Sequence, residues 1–162
     1  MRDKIEVNGR SYSWPNVPLV VVCIDGSEPD YIEQAVENGL MPFTEKILSK
    51  GADLRVDSVI PSFTNPNNLS IVTGRPPAVH GISGNFFYDN SSDQEVMMND
   101  PSFLRVPTIF SAFEREGARV AVITAKDKLR KLLGHGLTFG KGSSICFSAE
   151  KANEISLSLI HI

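Results

Sequence analysis

The chain has 162 residues, 41% apolar and 22% charged, and its 16 Lys and Arg against 19 Asp and Glu leave a net charge of −3. That balance is ordinary for a globular domain and excludes a disordered polyelectrolyte, while the weak negative charge offers no bulk attraction to nucleic acid or anionic lipid. No run approaches the roughly 20 apolar residues of a membrane helix, and the opening MRDKIEVNGR lacks an apolar signal core, so a cytoplasmic protein without membrane or nucleic-acid partners is expected.

Residues 1–17 are polar and end near Trp14-Pro15, which predicts an N-terminal arm or edge hairpin. Residues 18–24 form a continuous apolar run rich in β-branched residues, the pattern of a strand covered on both faces. Asp25-Gly26-Ser27 is a turn signal. Pro29 suits a first helical turn, and Tyr31, Ile32, Ala35 and Val36 share a face, so residues 29–38 predict a helix closed by Gly39. A second helix is expected over 42–50 with Gly51 as its stop, then a strand over 54–60. Thr64 opens a third helix running to Thr73. Residues 74–105, rich in Gly, Pro, Asn, Asp and Ser, predict a long loop region with one hairpin around 90–92. A helix over 106–116, a strand over 119–124, a helix over 127–133 and a strand over 144–147 follow. Alternating strands and helices predict an α/β fold with a mostly parallel sheet flanked by helices.

Cys23 and Cys146 sit in apolar runs and make neither a disulfide framework nor a zinc-finger spacing, so both are expected to be buried. Ligands of open parallel sheets bind at the carboxyl ends of strands. Asp25, Thr64 and the pair Lys126 and Lys128 all follow predicted strands. Asp25 is either an Asx turn or a hard metal ligand. Thr64 is either a helix cap or a nucleophile where the helix dipole favours an anion. Lys126 and Lys128 are either a solvated helix start or anion-binding groups.

Residues 61–89 read PSFTNPNNLSIVTGRPPAVHGISGNFFYD. The Pro61-to-Thr64 turn, Ser70-Ile71-Val72-Thr73-Gly74, Pro77-Ala78-Val79-His80-Gly81-Ile82 and Asn85-Phe86-Phe87-Tyr88-Asp89 occur in that order after a run ending in Asp25-Gly26. This series resembles the nucleophile region of the alkaline phosphatase superfamily, in its nucleotide pyrophosphatase/phosphodiesterase branch. Ala125-Lys126-Asp127-Lys128-Leu129 and the stretch from Ile145 to Lys151 extend the likeness to the phosphonoacetate hydrolase family. The resemblance covers residues 18–150 and implies an alkaline-phosphatase-like fold, two zinc ions, and hydrolysis of phosphonoacetate to acetate and phosphate. It further implies that Asp25 binds one zinc and that Thr64 binds that zinc and attacks phosphorus. Asn85 would donate to a phosphoryl oxygen, and Lys126 and Lys128 would hold the substrate carboxylate. His80 is expected to be structural and His135 a loop residue.

The two zinc ions need further Asp and His ligands, which the family supplies from a longer chain. Residues 18–154 are therefore expected to be the N-terminal part of the catalytic domain, and the apolar ending over 155–162 an atypical tail of a truncated or frame-shifted product. A phosphodiesterase or nucleotide pyrophosphatase with the same nucleophile, and a non-catalytic anion-binding fragment, are the competing expectations. A small phosphonate is the expected partner, and self-association into a homo-oligomer is left open.

Overall fold

The structure is a computed structural model that describes residues 4–140 and 142–152; the expected tail over 155–162 lies outside them. The described residues separate into two compact units, Val17–Ser58 and a larger one joining the residues up to Asn16 with those from Val59 onward.

The larger unit opens with a hairpin of β1 (Lys4–Val7) and β2 (Arg10–Ser13). Its turn is Asn8-Gly9, both at positive φ (53° and 68°), the backbone that a tight two-residue hairpin demands and that Asn and Gly tolerate. Ile5 and Val7 point inward against Ala112, Ile109 and Phe113, and Trp14 stacks on Phe113 with centroids 5.8 Å apart. The Asn8 side chain donates to the carbonyls of Thr73 and Pro107, each at 2.9 Å.

Helix α3 (Thr64–Thr73) and the short α4 (Pro77–His80) come next. An antiparallel hairpin of β3 (Phe86–Asp89) and β4 (Gln94–Met97) follows. Helix α5 (Ile109–Arg115), strand β5 (Ala121–Thr124), helix α6 (Asp127–Leu133) and strand β6 (Ile145–Ser148) complete the unit, with β5 and β6 parallel. The main core is Leu69 and Val72 from α3, Leu132 and Leu133 from α6, Val122 from β5, and Ile82 and Met98 from the loops. It joins α3 to α6, which fixes the two elements that carry Thr64 and the lysines.

The smaller unit holds helices α1 (Pro29–Glu37) and α2 (Pro42–Lys50), where the sequence placed them, with Pro in each first turn. Arg55 pairs with Glu33 and, at 3.5 Å, with Asp53.

Several expectations are corrected. Residues 18–24 and 54–60 form no strand. The large apolar side chains from Leu19 to Ile24 are 61–81% exposed, and Leu54, Val56 and Ile60 are 79%, 86% and 93% exposed. A strand exists only through a neighbour that takes its N–H and C=O groups, and the described residues pair none with these runs. Cys23, expected in the core, is exposed for the same reason, whereas Cys146 is half-buried. Among the described residues, three two-stranded sheets stand in place of the expected mostly parallel sheet, with β5–β6 parallel and the other two antiparallel. The expected helix over 106–116 begins later, because the Thr108 hydroxyl accepts from the Ser111 N–H at 3.1 Å and caps it.

Candidate active site

Thr64 is half-buried and is the first residue of α3. The cap position belongs to Phe63, without a side-chain capping bond, so the capping role considered for Thr64 falls to its neighbour's backbone. Pro66, two residues on, has no N–H, and the Asn67 N–H is taken by the Phe63 carbonyl at 3.1 Å. The start of α3 is held from its own far side. Asn68 donates to the Thr64 carbonyl at 2.9 Å, and Ser70 donates its hydroxyl to the Pro66 carbonyl at 2.8 Å.

His80 is fully buried and locks this turn. Its Nδ1 accepts the Ile82 N–H at 3.1 Å, so Nε2 carries the proton and faces the Ser70 Oγ at 2.9 Å. Burial lowers its pKa and keeps the ring neutral. The structural role expected of His80 is thus an anchor between α4 and Ser70 of α3. His135 is an exposed loop residue.

Asn85 is half-buried immediately before β3, and its Oδ1 is enclosed with no hydrogen-bond partner among the described residues. Lys126 is exposed at the cap position of α6, and Lys128 is half-buried in its first turn. Neither has an ion-pair partner among the described residues. Asp127 between them is engaged elsewhere. It takes Arg130 at 2.5 Å and the Ser148 hydroxyl at 3.2 Å, contacts that hold its carboxyl below the ordinary range, the arginine bond first. Asp25 is exposed in the smaller unit, in the turn where Ser27 N–H meets the Ile24 carbonyl at 3.3 Å.

Residues 19–131 match the family of type I phosphodiesterases and nucleotide pyrophosphatases. The chain belongs to that family. An ectonucleotide pyrophosphatase/phosphodiesterase of Caenorhabditis elegans is 30% identical over 119 residues, covering 69% of this chain and 15% of that protein. An uncharacterized pyrophosphatase/phosphodiesterase of Schizosaccharomyces pombe is 31% identical over 114 residues, 64% of this chain and 22% of that protein. Crystal structures of phosphonoacetate hydrolase from Sinorhizobium meliloti 1021, in complex with phosphonoformate and with phosphonoacetate, are 58% identical with a TM-score of 0.92. They cover 98% of this chain, which spans 38% of theirs. The resemblance carried by residues 61–89 is thereby upheld, and this member of the phosphodiesterase family shares the architecture of phosphonoacetate hydrolase along nearly its whole length.

The zinc pair implied by that resemblance does not fit the donors present. Zinc is held by about three or four N, S or O ligands, and among the described residues no group of three or more His, Cys, Asp or Glu could hold a metal. Asp25 and Thr64 are two donors at most. No helix among the described residues is long and apolar enough to cross a membrane.

The sequence left two site features unread. One is the Ser70–His80 lock, and the other is the tie from Asn65 to the Met98 carbonyl at 3.0 Å. The only sequence signal for either was the crowding of polar residues on a helix that also carries core leucine and valine.

Proposed function

We propose that this chain is the nucleophile-bearing part of a phosphonoacetate hydrolase, and that its catalytic residue is Thr64. The observation that carries the reading is the 58% identity to phosphonoacetate hydrolase over 98% of the chain, together with two lysines at the start of α6 that have no carboxylate partner among the described residues. The Thr64 oxygen bonds to phosphorus as its hydroxyl proton passes to solvent water. The carbon–phosphorus bond breaks, and its electron pair passes to the methylene carbon and into the adjoining carboxylate. Lys126 and Lys128 hold that carboxylate and stabilise charge that grows only in the transition state. The carbon takes a proton to give acetate. Water then attacks phosphorus, the bond to Thr64 breaks, and phosphate departs. Asn85 donates to a phosphoryl oxygen through its amide nitrogen.

Zinc belongs to this reading only in a completed protein, since further donors must come from outside the described residues. On the same grounds the 162-residue chain alone is expected to be inactive, and the apolar runs at 18–24 and 54–60 are surfaces that a longer chain covers. The cytoplasmic setting expected from the sequence is part of the same proposal.

The test is a chimera in which residues up to Ala152 are joined to the remainder of the Sinorhizobium meliloti enzyme. It should release acetate and phosphate from phosphonoacetate. Lys126→Ala and Lys128→Ala should each lower turnover by about 10²-fold, the loss expected for one stabilising group. Faster hydrolysis of an aryl nucleotide phosphodiester would instead favour the phosphodiesterase reading, to which the two relatives near 30% identity belong. A chimera that binds zinc and phosphonoacetate without turnover would leave an anion-binding role.

A further inference from the structure

We infer that Asn65 is a positioning residue that holds Thr64 and Asn85 in register through the backbone of Met98. The inference rests on the roles proposed for Thr64 and Asn85. Asn65 follows Thr64 directly in the first turn of α3 and is fully buried. Its Nδ2 donates to the Met98 carbonyl at 3.0 Å, across 33 positions of sequence. The Met98 N–H in turn donates to the Asn85 carbonyl at 2.8 Å. The two peptide groups of one residue thus connect the nucleophile's helix turn to the residue proposed to meet the phosphoryl group.

The relay is stiff. Met98 is buried in the main core with Leu69 of α3, and the Ser83 hydroxyl lies 3.7 Å from its sulfur. The Met98–Asn85 bond also continues the β3–β4 ladder one step beyond the Phe86–Met97 pair, so the whole hairpin is registered by it.

Asn65 is a costly way to fill this place. Its Oδ1 is buried without a partner among the described residues. A buried acceptor left unmatched forfeits much of what the other hydrogen bond of the amide contributes, whereas an apolar side chain would remove that acceptor but also take the Asn65 donor from the Met98 carbonyl. What the amide supplies is a directed bond to Met98, which fixes the spacing of the two groups that must meet one phosphorus atom.

The test joins hydrogen exchange of the Met98 amide in the full chain to a double-mutant cycle on phosphonoacetate turnover by the chimera. Asn65→Ala should speed Met98 exchange about tenfold or more while the Leu132 amide keeps its protection. It should lower kcat/KM about tenfold in the native background, yet less than about twofold when Asn85→Ala is already present, because both changes undo one arrangement. A merely structural role would lower Tm and multiply with Asn85→Ala. Should Asn65→Ala fail to fold, Asn65→Ser replaces it, being polar but too short to reach Met98. Unchanged Met98 exchange overturns the inference, and so do equal losses in both backgrounds. If the chimera does not turn over phosphonoacetate, the proposed function fails, and Met98 exchange by itself still decides whether Asn65 holds the relay.

Discussion

Acidification should weaken the fold through His80. The ring is fully buried, Nδ1 accepts the Ile82 N–H at 3.1 Å, and Nε2 faces Ser70 Oγ at 2.9 Å. A second proton would have to sit on Nδ1, pointing at an N–H donor. The folded-state pKa is lowered by burial, so the unfolded chain binds more protons, and stability is lost as the pH falls through the ordinary imidazole value near 6.5. One proton limits the slope to about 1.4 kcal/mol per pH unit, so about 2 kcal/mol is the most that can be lost between pH 6.5 and 5. That is a sizeable share of the 5–15 kcal/mol typical of a domain. The carboxyls of Asp89, Asp100 and Asp127 are all held below their usual range, by the Ser91 hydroxyl, the Ser102 N–H and Arg130 respectively, and so stay charged across this window. Urea midpoints measured from pH 7.5 to 5 should fall in the native chain and fall less in His80→Gln, at equal m-values. Identical pH slopes in the two would refute the argument that His80 is held neutral by its surroundings.

Other consequences are open to direct measurement. Gly81 has φ 91°, and a Cβ there would lie 2.5 Å from the Phe103 carbonyl oxygen and 2.9 Å from the Arg105 stem. Gly81→Ala should therefore cost at least about 1–3 kcal/mol, and an unchanged urea midpoint would contradict this. The Cys146 thiol is pushed up to about 11 by burial, whereas Cys23 is exposed. At pH 8 a thiol reagent should label Cys23 first and Cys146 far more slowly, and equal rates would count against the packing of β6 on α6. The bare apolar run from Leu19 to Ile24 should bind an apolar dye and drive concentration-dependent association. Val20→Glu with Val22→Glu should suppress both, and no change would mean that the run is already covered.

Much of the fold was readable because its signals are local. Pro29 with Gly39, Pro42 with Gly51, and Asp127 ahead of an apolar repeat each fix a helix within a dozen residues, and α1, α2 and α6 lie where those signals put them. Strands failed where their identity depends on a partner. Residues 18–24 have the composition of a doubly covered strand, but composition cannot provide the neighbour. The four-residue α4 was hidden among the prolines and glycines of 74–105, the residues that also write loops. Thr108 shows how one hydroxyl moves a boundary by three positions. Thr64 and Asn85 stand out in the sequence through the motif of residues 61–89, and the lysines through the stretch from Ala125 to Leu129. Asn65 does not, because its partner lies 33 positions away and asparagine near a helix start has an ordinary local explanation.

The most direct test of the central claim is mass spectrometry of the chimera, acid-quenched during phosphonoacetate turnover, with Thr64→Ala alongside. The account predicts phosphate on Thr64, acetate and phosphate released in equal amounts, and no turnover by Thr64→Ala. Steady turnover by Thr64→Ala, or phosphate trapped on a different residue, would contradict it.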